Sequence, residues 1–247
     1  MVEEQRIIFR PFSFLYFGIL TVLFFLTLVS VTSFYRDLLV EVVGIPPETF
    51  GLILFLSLFG STVNIPLTTI ESKAPIVDHR EIRLFWVTWR IPRVVMGVRR
   101  TLVTVNLGGA IVPVLISAYL LLVSIPTKSP NVLASYLRTG IVLVIVSLTT
   151  FKSSRLVEGL GIATPAIGPP LSTVLAVLTV DLLSPMACPI QVAYVGGSLG
   201  TLIGADLLNF RRLPKLGAPV VSIGGAGTFD GIYITGLVSV LLVLILL

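Results

Sequence analysis

Seven long apolar stretches, almost free of charge, constrain this chain more than any other feature. A membrane-spanning helix needs about 20 mostly apolar residues, and each stretch is close to that length. Only 12% of the 247 residues are charged, against about 25% in a soluble domain. The sequence therefore predicts an all-α fold, a polytopic membrane helical bundle with about seven transmembrane helices. The predicted spans are Phe14–Phe34, Phe50–Leu67, Leu102–Ile125, Val132–Phe151, Leu160–Leu183, Ile190–Phe210 and one helix within Val220–Leu247.

The 17 Lys and Arg residues are unevenly distributed between the connections of these spans. With the N-terminus in the cytoplasm, 14 of them lie on the cytoplasmic side, and Arg36, Lys128 and Arg138 lie outside. The positive-inside rule then predicts a multi-pass cell-membrane protein with a cytoplasmic N-terminus and an outside C-terminus. The basic cytoplasmic connection 71–100 contains two Trp residues, which are typical of the membrane–water interface. We predict that it contacts anionic lipid headgroups and that the chain does not bind nucleic acid.

Residue types that several chemistries require are scarce. With one Cys and one His, an internal disulfide is excluded and a multi-ligand zinc site is disfavoured. The only histidine, His79, lies in the basic connection, which argues against a Ser–His hydrolase, and no Walker A sequence is present. We therefore expect neither a metal nor a cofactor.

Two segments recur in the same order along the chain. Phe59–Leu67 is similar to Leu199–Leu207, and Val105–Ala110 is similar to Val221–Ala226. Parallel repeats of this kind occur in some transporters. We predict a single integral membrane domain, 1–247, built as repeat halves 11–125 and 156–247 around a linker helix, 132–151.

Glycines and prolines are expected to break two of the spans. Gly159–Pro170 carries three prolines at the start of the fifth span, and Gly224–Gly227 precedes a last helix expected to begin near Thr228. Irregular backbone at membrane depth is stable only where it is buried in protein or lines a wet cavity. We predict that both segments face one cavity; the alternative is close helix packing through small residues.

Two acids, Asp206 and Asp230, lie inside predicted spans, and a third, Asp181, lies at the outer end of the fifth span, where we expect it to meet water. Their helices are consecutive and antiparallel, so both carboxylates are expected at a similar depth. An ionisable group in a span is costly and is therefore a candidate for function. Two apposed carboxylates share one proton, and such a pair can activate water and polarise a carbonyl group. The alternative is that Asp206 pairs with Arg211 or Arg212 and that Asp230 caps its helix.

These residues carry a resemblance to an uncharacterised prokaryotic family of multi-pass membrane proteins. The runs Gly204–Asn209 and Gly224–Gly231 are similar to that family, and the resemblance includes Val105–Pro113. The resemblance implies membership of the family without implying an activity.

A weaker resemblance is to presenilin-type intramembrane aspartyl proteases. Those enzymes carry one Asp on a helix and a Gly-x-Gly-Asp motif on a later helix. Here Asp206 matches the first acid, and Asp230 lies three residues after Gly225-Ala226-Gly227, not immediately after it as in that motif. The resemblance implies that Asp206 and Asp230 form a catalytic pair.

Three functions are compatible with the sequence. An intramembrane aspartyl protease would use Asp206 and Asp230 as catalytic residues. A transporter or ion-coupled carrier would bind a proton or cation at one of these acids and would line its path with Asn64 and Asn106. A non-catalytic scaffold is the third. The expected partners are the lipid bilayer and either a transmembrane peptide or a small solute. In the protease hypothesis, substrate backbone would approach Gly224, Gly225, Gly227, Thr228 and Pro165.

Overall fold

The computed structural model describes residues 14–84, 86–157, 161–216 and 218–247, and these residues are mostly helical. Seven helices and five strands lie within these ranges. The helices are α1 (Phe14–Asp37), α2 (Pro47–Leu58), α3 (Leu107–Lys128), α4 (Val132–Ser153), α5 (Gly168–Leu183), α6 (Pro189–Thr201) and α7 (Gly231–Leu246). The strands are β1 (Asn64–Leu84), β2 (Val87–Asn106), β3 (Arg155–Val157), β4 (Gly161–Ala163) and β5 (Val220–Ile223).

Several helices contain or continue into irregular turns. Helix α3 includes two π-helical turns, Leu107–Ile111 and Leu120–Ser124. The π-helical turn Leu38–Val43 continues α1, and the π-helical turn Leu202–Leu207 continues α6. Such turns carry one extra residue per turn and are frequent at functional sites.

Three helical segments in the described part of the chain are long and apolar enough to cross a membrane: Phe17–Val43, Leu107–Lys128 and Val132–Ser153. The apolar side chains of α1 are exposed, for example Phe24 at 63% and Val29 at 62%. An exposed apolar helix is stable in lipid, whereas in water such a surface marks an interaction site. These three segments support a membrane location for the chain. The orientation of its termini stays a prediction.

A long β-hairpin corrects the prediction of a purely helical fold. Strands β1 and β2 pair antiparallel from Asn64 opposite Asn106 to Leu84 opposite Val87. Residues 64–67 and 102–106 are therefore strand, not the ends of spans, and the connection 71–100 is most of the hairpin. With 21 residues in β1, the hairpin is about 70 Å long.

The composition of this segment explains why it forms strands. Val, Thr and Ile dominate Val87–Asn106, and β-branched residues fit a pleated surface better than a helix. A hydropathy window counts residues 102–106 as part of a span because it ignores their conformation. The hairpin turns at Trp86, which has a positive φ of 61° and a fully exposed side chain.

Strand β5 connects the base of the hairpin to the start of the last helix. It pairs in parallel with β2, from Leu102 opposite Val220 to Val105 opposite Ile223. The two Gly-rich segments that were compared in the sequence therefore lie side by side. The proposed repeat itself stays a prediction.

The prolines of the fifth span begin a helix and do not interrupt one. Helix α5 starts at Gly168, and Pro169 and Pro170 occupy its first turn, where a missing backbone N–H is not needed. Of the predicted broken segment 159–170, residues 159–160 lie outside the described residues, and 161–167 are strand and loop, as predicted for irregular backbone. The last helix begins at Gly231, three residues beyond the predicted start at Thr228.

Helix α6 is the centre of the bundle. All its residues from Gln191 to Ser198 are buried. It packs on α4 and α7 through glycines: a Cβ added to Gly200 would lie 2.7 Å from Val146, and one added to Gly197 would lie 3.1 Å from Ser239 Oγ. Small residues in this pattern allow helix backbones to approach closely in a membrane.

Candidate functional site

The two acids lie at the end of the bundle where the sheet is attached. Asp206 is on the π-helical turn that follows α6, and Asp230 immediately precedes α7. A Cβ at Gly231 would contact the Thr201 methyl group at 3.8 Å, which places the start of α7 beside the end of α6. The two carboxyl groups are close enough to interact electrostatically.

The π-helical turn determines the direction of Asp206. Gln191, Tyr194, Ser198 and Thr201 follow the 3-4-3 spacing of a single α-helical face. Continued without interruption, this face would next include residue 205. The extra residue in the π-helical turn Leu202–Leu207 shifts the face by one position, so Asp206 continues the face of the four preceding polar residues.

Asp206 does not form an ion pair with Arg211 or Arg212, which was the alternative prediction. Arg212 instead donates a hydrogen bond to Asn209 at 3.3 Å and lies over the Phe151 ring at 5.0 Å. Across the residues that the structure describes, Asp206 has no hydrogen bond and no ion pair. Its half-buried carboxyl group is therefore available to a proton, a water molecule or a ligand.

Asp230 has a structural role. Its Oδ1 accepts a hydrogen bond from the backbone N–H of Ile232 at 3.0 Å, and its Oδ2 accepts one from Ala226 at 3.4 Å. The first bond is an N-cap of α7, and the second fixes the preceding Gly-rich turn. Asp230 therefore has partners for both oxygens, in contrast to Asp206.

We expect Asp230→Ala to destabilise the protein by about 1 kcal/mol, because α7 loses its N-cap. Asp230→Asn is expected to change stability much less, since an Asn side-chain oxygen also accepts an N-cap hydrogen bond. The check is the thermal unfolding midpoint of each variant in the same detergent. If both variants unfold at the wild-type temperature, the cap does not contribute to stability.

The glycines near Asp230 allow other segments of the protein to pack closely against them. A Cβ at Gly224 would lie 2.7 Å from the backbone N of Ala110, and Gly227 packs on the Ser61 side chain. Both glycines have positive φ, 70° and 64°, which other residues rarely adopt. These contacts leave no free space for a substrate backbone at Gly224 and Gly227, whereas Gly225 is exposed.

Ser61 holds this Gly-rich segment to the end of α2. Its hydroxyl donates to the Ser57 carbonyl and accepts from the backbone N–H of Thr228 at 3.0 Å. Thr228 is thus placed by its backbone, and its side chain is half-buried. The hydrogen bond joins two segments that are 167 residues apart in sequence.

The two asparagines predicted to line a polar path are bonded to each other. Asn106 is fully buried; its Nδ2 donates to the Ser61 carbonyl at 2.8 Å and to Asn64 Oδ1 at 3.2 Å. Its Oδ1 accepts from the backbone N–H of Gly109 at 2.8 Å and so caps α3. Asn64 also accepts from Ser222 at 2.6 Å. These bonds fix the base of the sheet.

Pro165 lines a cavity of about 470 Å³ beside the end of α4, together with Lys152 and Arg155. Gly224, Gly225, Gly227 and Thr228 are not among the residues that line it.

A row of buried hydroxyl groups is the feature that sequence reasoning missed. Tyr194, Ser198 and Thr201 on α6 and Ser239 on α7 are at most 1% exposed. None of their hydroxyls has a hydrogen-bond partner outside the row among the described residues, and the Tyr194 and Ser198 hydroxyls lie close enough to interact with each other. The spacing of Gln191, Tyr194, Ser198 and Thr201 was a visible signal for one polar face on α6.

The row is adjacent to a second hydroxyl cluster. The Tyr233 hydroxyl is bonded to Ser57 Oγ at 2.8 Å and to the Tyr35 hydroxyl. Tyr194 is close enough to Tyr233 to interact electrostatically. This cluster joins α1, α2 and α7, and no sequence pattern relates its three members.

A family model described as a protein of unknown function, DUF1614, matches residues 58–242. The match covers well over half of the chain. The chain belongs to the DUF1614 family. No curated protein and no solved structure matches it.

The DUF1614 match includes both acids, both asparagines and the hydroxyls of α6. It begins at the end of α2, so α1 and Tyr35 lie outside it. The match therefore confirms the prediction that the chain belongs to an uncharacterised family. None of these comparisons tests the resemblance to presenilin-type proteases. Among the described residues of this DUF1614 chain, no cluster of three or more His, Cys, Asp or Glu side chains could hold a metal ion.

Proposed function

We propose that this membrane protein is a carrier that itself conducts protons across the membrane, and that the hydroxyl row on α6 leads them to Asp206. The observation that carries the proposal is the row itself. Tyr194, Ser198 and Thr201 lie on the face that Asp206 continues, and their buried hydroxyls have no hydrogen-bond partner outside the row among the described residues.

Unpaired hydroxyls in this position have an energetic cost. A buried polar group without a hydrogen bond costs about 1–3 kcal/mol, and buried polar groups in proteins are usually paired with protein or ordered water. The apolar side chains of a bundle core cannot replace the missing hydrogen-bond partners. Water or a transported species that enters the row would remove the cost, because each hydroxyl can both donate and accept a hydrogen bond.

Asp206 is the residue in this row that can bind and release a proton. It has no fixed hydrogen bond, so protonation breaks no described contact. Asp230 lies within electrostatic range and is held in place by two backbone N–H groups. Two nearby negative charges are unfavourable in a low-dielectric site, so a proton taken up by Asp206 relieves the repulsion.

The predicted orientation assigns a direction to this path. With the N-terminus in the cytoplasm, the end of α6 and the start of α7 lie at the cytoplasmic side. Asp206 would then exchange protons with the cytoplasm, and the hydroxyl row would continue from it towards the centre of the membrane. Intramembrane acids in proton relays have this arrangement in other pumps and transporters.

An intramembrane aspartyl protease is the second candidate, and the electrostatic contact between the acids favours it. Against it, both oxygens of Asp230 accept backbone hydrogen bonds, and Gly224 and Gly227 are packed against the protein. A protease would require both acids, whereas the carrier needs Asp206 as the proton-binding group and Asp230 as a cap.

Silver-ion accessibility tests whether water reaches the row. The natural Cys188 is the only cysteine, so Cys188→Ala gives a background into which Ser198→Cys is introduced. We expect Ag⁺ to block this thiol at least ten-fold faster than the thiol of Ala193→Cys, measured as loss of later maleimide labelling after denaturation. Ala193 is a matched control because it is on α6, 0% exposed and within an apolar cluster. Equal rates for both thiols would contradict a hydrated row.

A further inference from the structure

The cavity of about 470 Å³ beside the end of α4 is lined by two cations and, among the described residues, by no acid. Lys152 lies in the last turn of α4, and Arg155 begins β3. The other lining residues are uncharged: Ser153, Val157, Ala163, Thr164 and Pro165. A cleft lined by charges of one sign concentrates ions of the opposite sign. This lining therefore favours a ligand that carries negative charge.

The pairing of β3 with β4 directs Arg155 to the cavity. Arg155 lies opposite Ala163, and Leu156 lies opposite Ile162. Successive side chains of a strand point to opposite faces. Leu156 and Ile162 pack on a buried cluster that includes Leu213. The apolar contacts of that face therefore leave Arg155 and Ala163 on the other face, which lines the cavity.

The two cations are the lining side chains whose hydrogen-bond donors are unused among the described residues. Ser153 Oγ donates to a backbone carbonyl of α4 at 3.1 Å. Ser154 Oγ donates to the same carbonyl at 2.7 Å, so the Thr164 hydroxyl is the donor in its 3.0 Å bond to Ser154. Within the described part of the chain, Lys152 and Arg155 form no hydrogen bond and no ion pair. Their N–H groups are the donors that phosphate oxygens accept most strongly.

An apolar stripe on α4 leads to Lys152. It consists of Leu137, Ile141, Val144 and Leu148, which are 62%, 50%, 53% and 51% exposed. With Lys152 they follow the 4-3-4-4 spacing of a single helical face. From Leu137 to Lys152 the helix rises about 22 Å, more than half of the hydrocarbon core, about 15 Å. Because α4 is long and apolar enough to cross a membrane, the stripe faces lipid and Lys152 lies near the membrane–water interface.

We propose that this cavity binds an anionic phospholipid, with its phosphate between Lys152 and Arg155 and one acyl chain along the apolar stripe of α4. Free phosphate has the same charged group, but the stripe favours the lipid because it continues from the cavity into the bilayer. A zwitterionic headgroup would bring a further cation to two cations that have no acidic partner among the described residues, so it should bind more weakly. The proposal goes beyond proton transport and does not depend on it.

Quenching of a single tryptophan by brominated lipids tests the proposal. The two natural tryptophans, Trp86 and Trp89, are replaced by Phe, and Leu148→Trp places the reporter on the stripe, one helical turn from Lys152. The protein is reconstituted into mixed vesicles of phosphatidylglycerol and phosphatidylcholine, in which one of the two lipids carries bromine on its acyl chains. We expect phosphatidylglycerol to bind beside the reporter at least five-fold more strongly than phosphatidylcholine. Equal binding of the two lipids would overturn the proposal.

Charge variants in the same reporter protein locate the binding. Lys152→Gln/Arg155→Gln should reduce the preference for phosphatidylglycerol to nearly equal binding of the two lipids. Both side chains are exposed, so the fold should be retained. Arg211→Gln is the matched control, because Arg211 is also exposed but does not line the cavity, and it should keep the full preference. An equal loss in Arg211→Gln and in the double variant would indicate attraction to the whole surface and contradict a defined site.

Inorganic phosphate distinguishes the two sources of the phosphate group. It is added to the reporter protein in mixed vesicles and compared with sodium chloride at equal ionic strength. Lipid binding predicts that the two salts reduce the phosphatidylglycerol preference to the same small extent. Loss of the preference with inorganic phosphate alone would show that the cavity takes free phosphate, and the proposal of a lipid site would be wrong.

Discussion

Gly200→Leu is expected to prevent formation of a stable bundle. A Cβ alone at this position would lie 2.7 Å from the Val146 side chain on α4, which real contacts of this kind do not tolerate. Extra methylene groups that force side chains or backbone to move in a packed core typically destabilise a protein by about 1–3 kcal/mol. Here α6 is buried on all sides. We expect loss of the monodisperse peak in size-exclusion chromatography and a thermal midpoint too low to measure.

Gly140→Leu is the matched control for this prediction. Gly140 lies on α4, the helix that Gly200 contacts, but an added Cβ there has no neighbour within 4 Å. The same substitution should therefore give a folded protein with a near-wild-type thermal midpoint. If Gly200→Leu were as stable as Gly140→Leu, the close approach of α4 and α6 would not exist in solution.

Asp206→Asn is expected to reduce proton flux at least ten-fold, to the level of protein-free liposomes. Asn has nearly the same volume as Asp but cannot bind and release a proton, so the row would lose its titratable end. The fold should be retained because Asp206 makes no hydrogen bond or ion pair within the described residues. The measurement is the initial acidification rate of dye-loaded proteoliposomes under an imposed membrane potential.

Two further variants make this result specific. Asp181→Asn should keep wild-type flux, because Asp181 accepts a backbone hydrogen bond from Met186 at 2.7 Å that an Asn oxygen can also accept. Asp230→Asn should retain measurable flux, since the cap survives. Wild-type flux in Asp206→Asn would remove Asp206 from the mechanism. Loss of a peptidase activity in both Asp206→Asn and Asp230→Asn would instead support the protease.

The sequence was informative where a single physical property decides the structure. Apolar length located the seven helices of the described residues approximately, but only three helical segments there are long and apolar enough to cross a membrane. The turn between the sixth and seventh spans was enough to place Asp206 and Asp230 near one another, since consecutive helices in a bundle are antiparallel.

Hydropathy failed where apolar residues form strands. Residues 64–67 and 102–106 were predicted as the ends of spans, but they are strand: they pair with each other in the hairpin, and 102–105 also pair with β5. The prolines of the fifth span were predicted to break its start; 161–167 are indeed not helical, but Pro169 and Pro170 lie in the first turn of α5. In both cases the type of residue was identified correctly, but the place of these residues in the helix or strand was not.

Long-range contacts could not be predicted from the sequence, for a different reason. Tyr35 and Tyr233 are 198 residues apart, and no periodicity relates them. The direction of Asp206 depends on the π-helical turn Leu202–Leu207, which ordinary 3.6-residue periodicity does not predict. The buried face of α6 was readable from its spacing, but its lack of hydrogen-bond partners is visible only in three dimensions.

The proton flux of the wild-type protein tests the central claim most directly. Purified protein is reconstituted into liposomes that contain a pH-sensitive dye, and a potassium gradient with valinomycin drives protons inward. The carrier account predicts acidification that is clearly faster than in protein-free liposomes prepared in parallel. Acidification at the same rate in both preparations would contradict it.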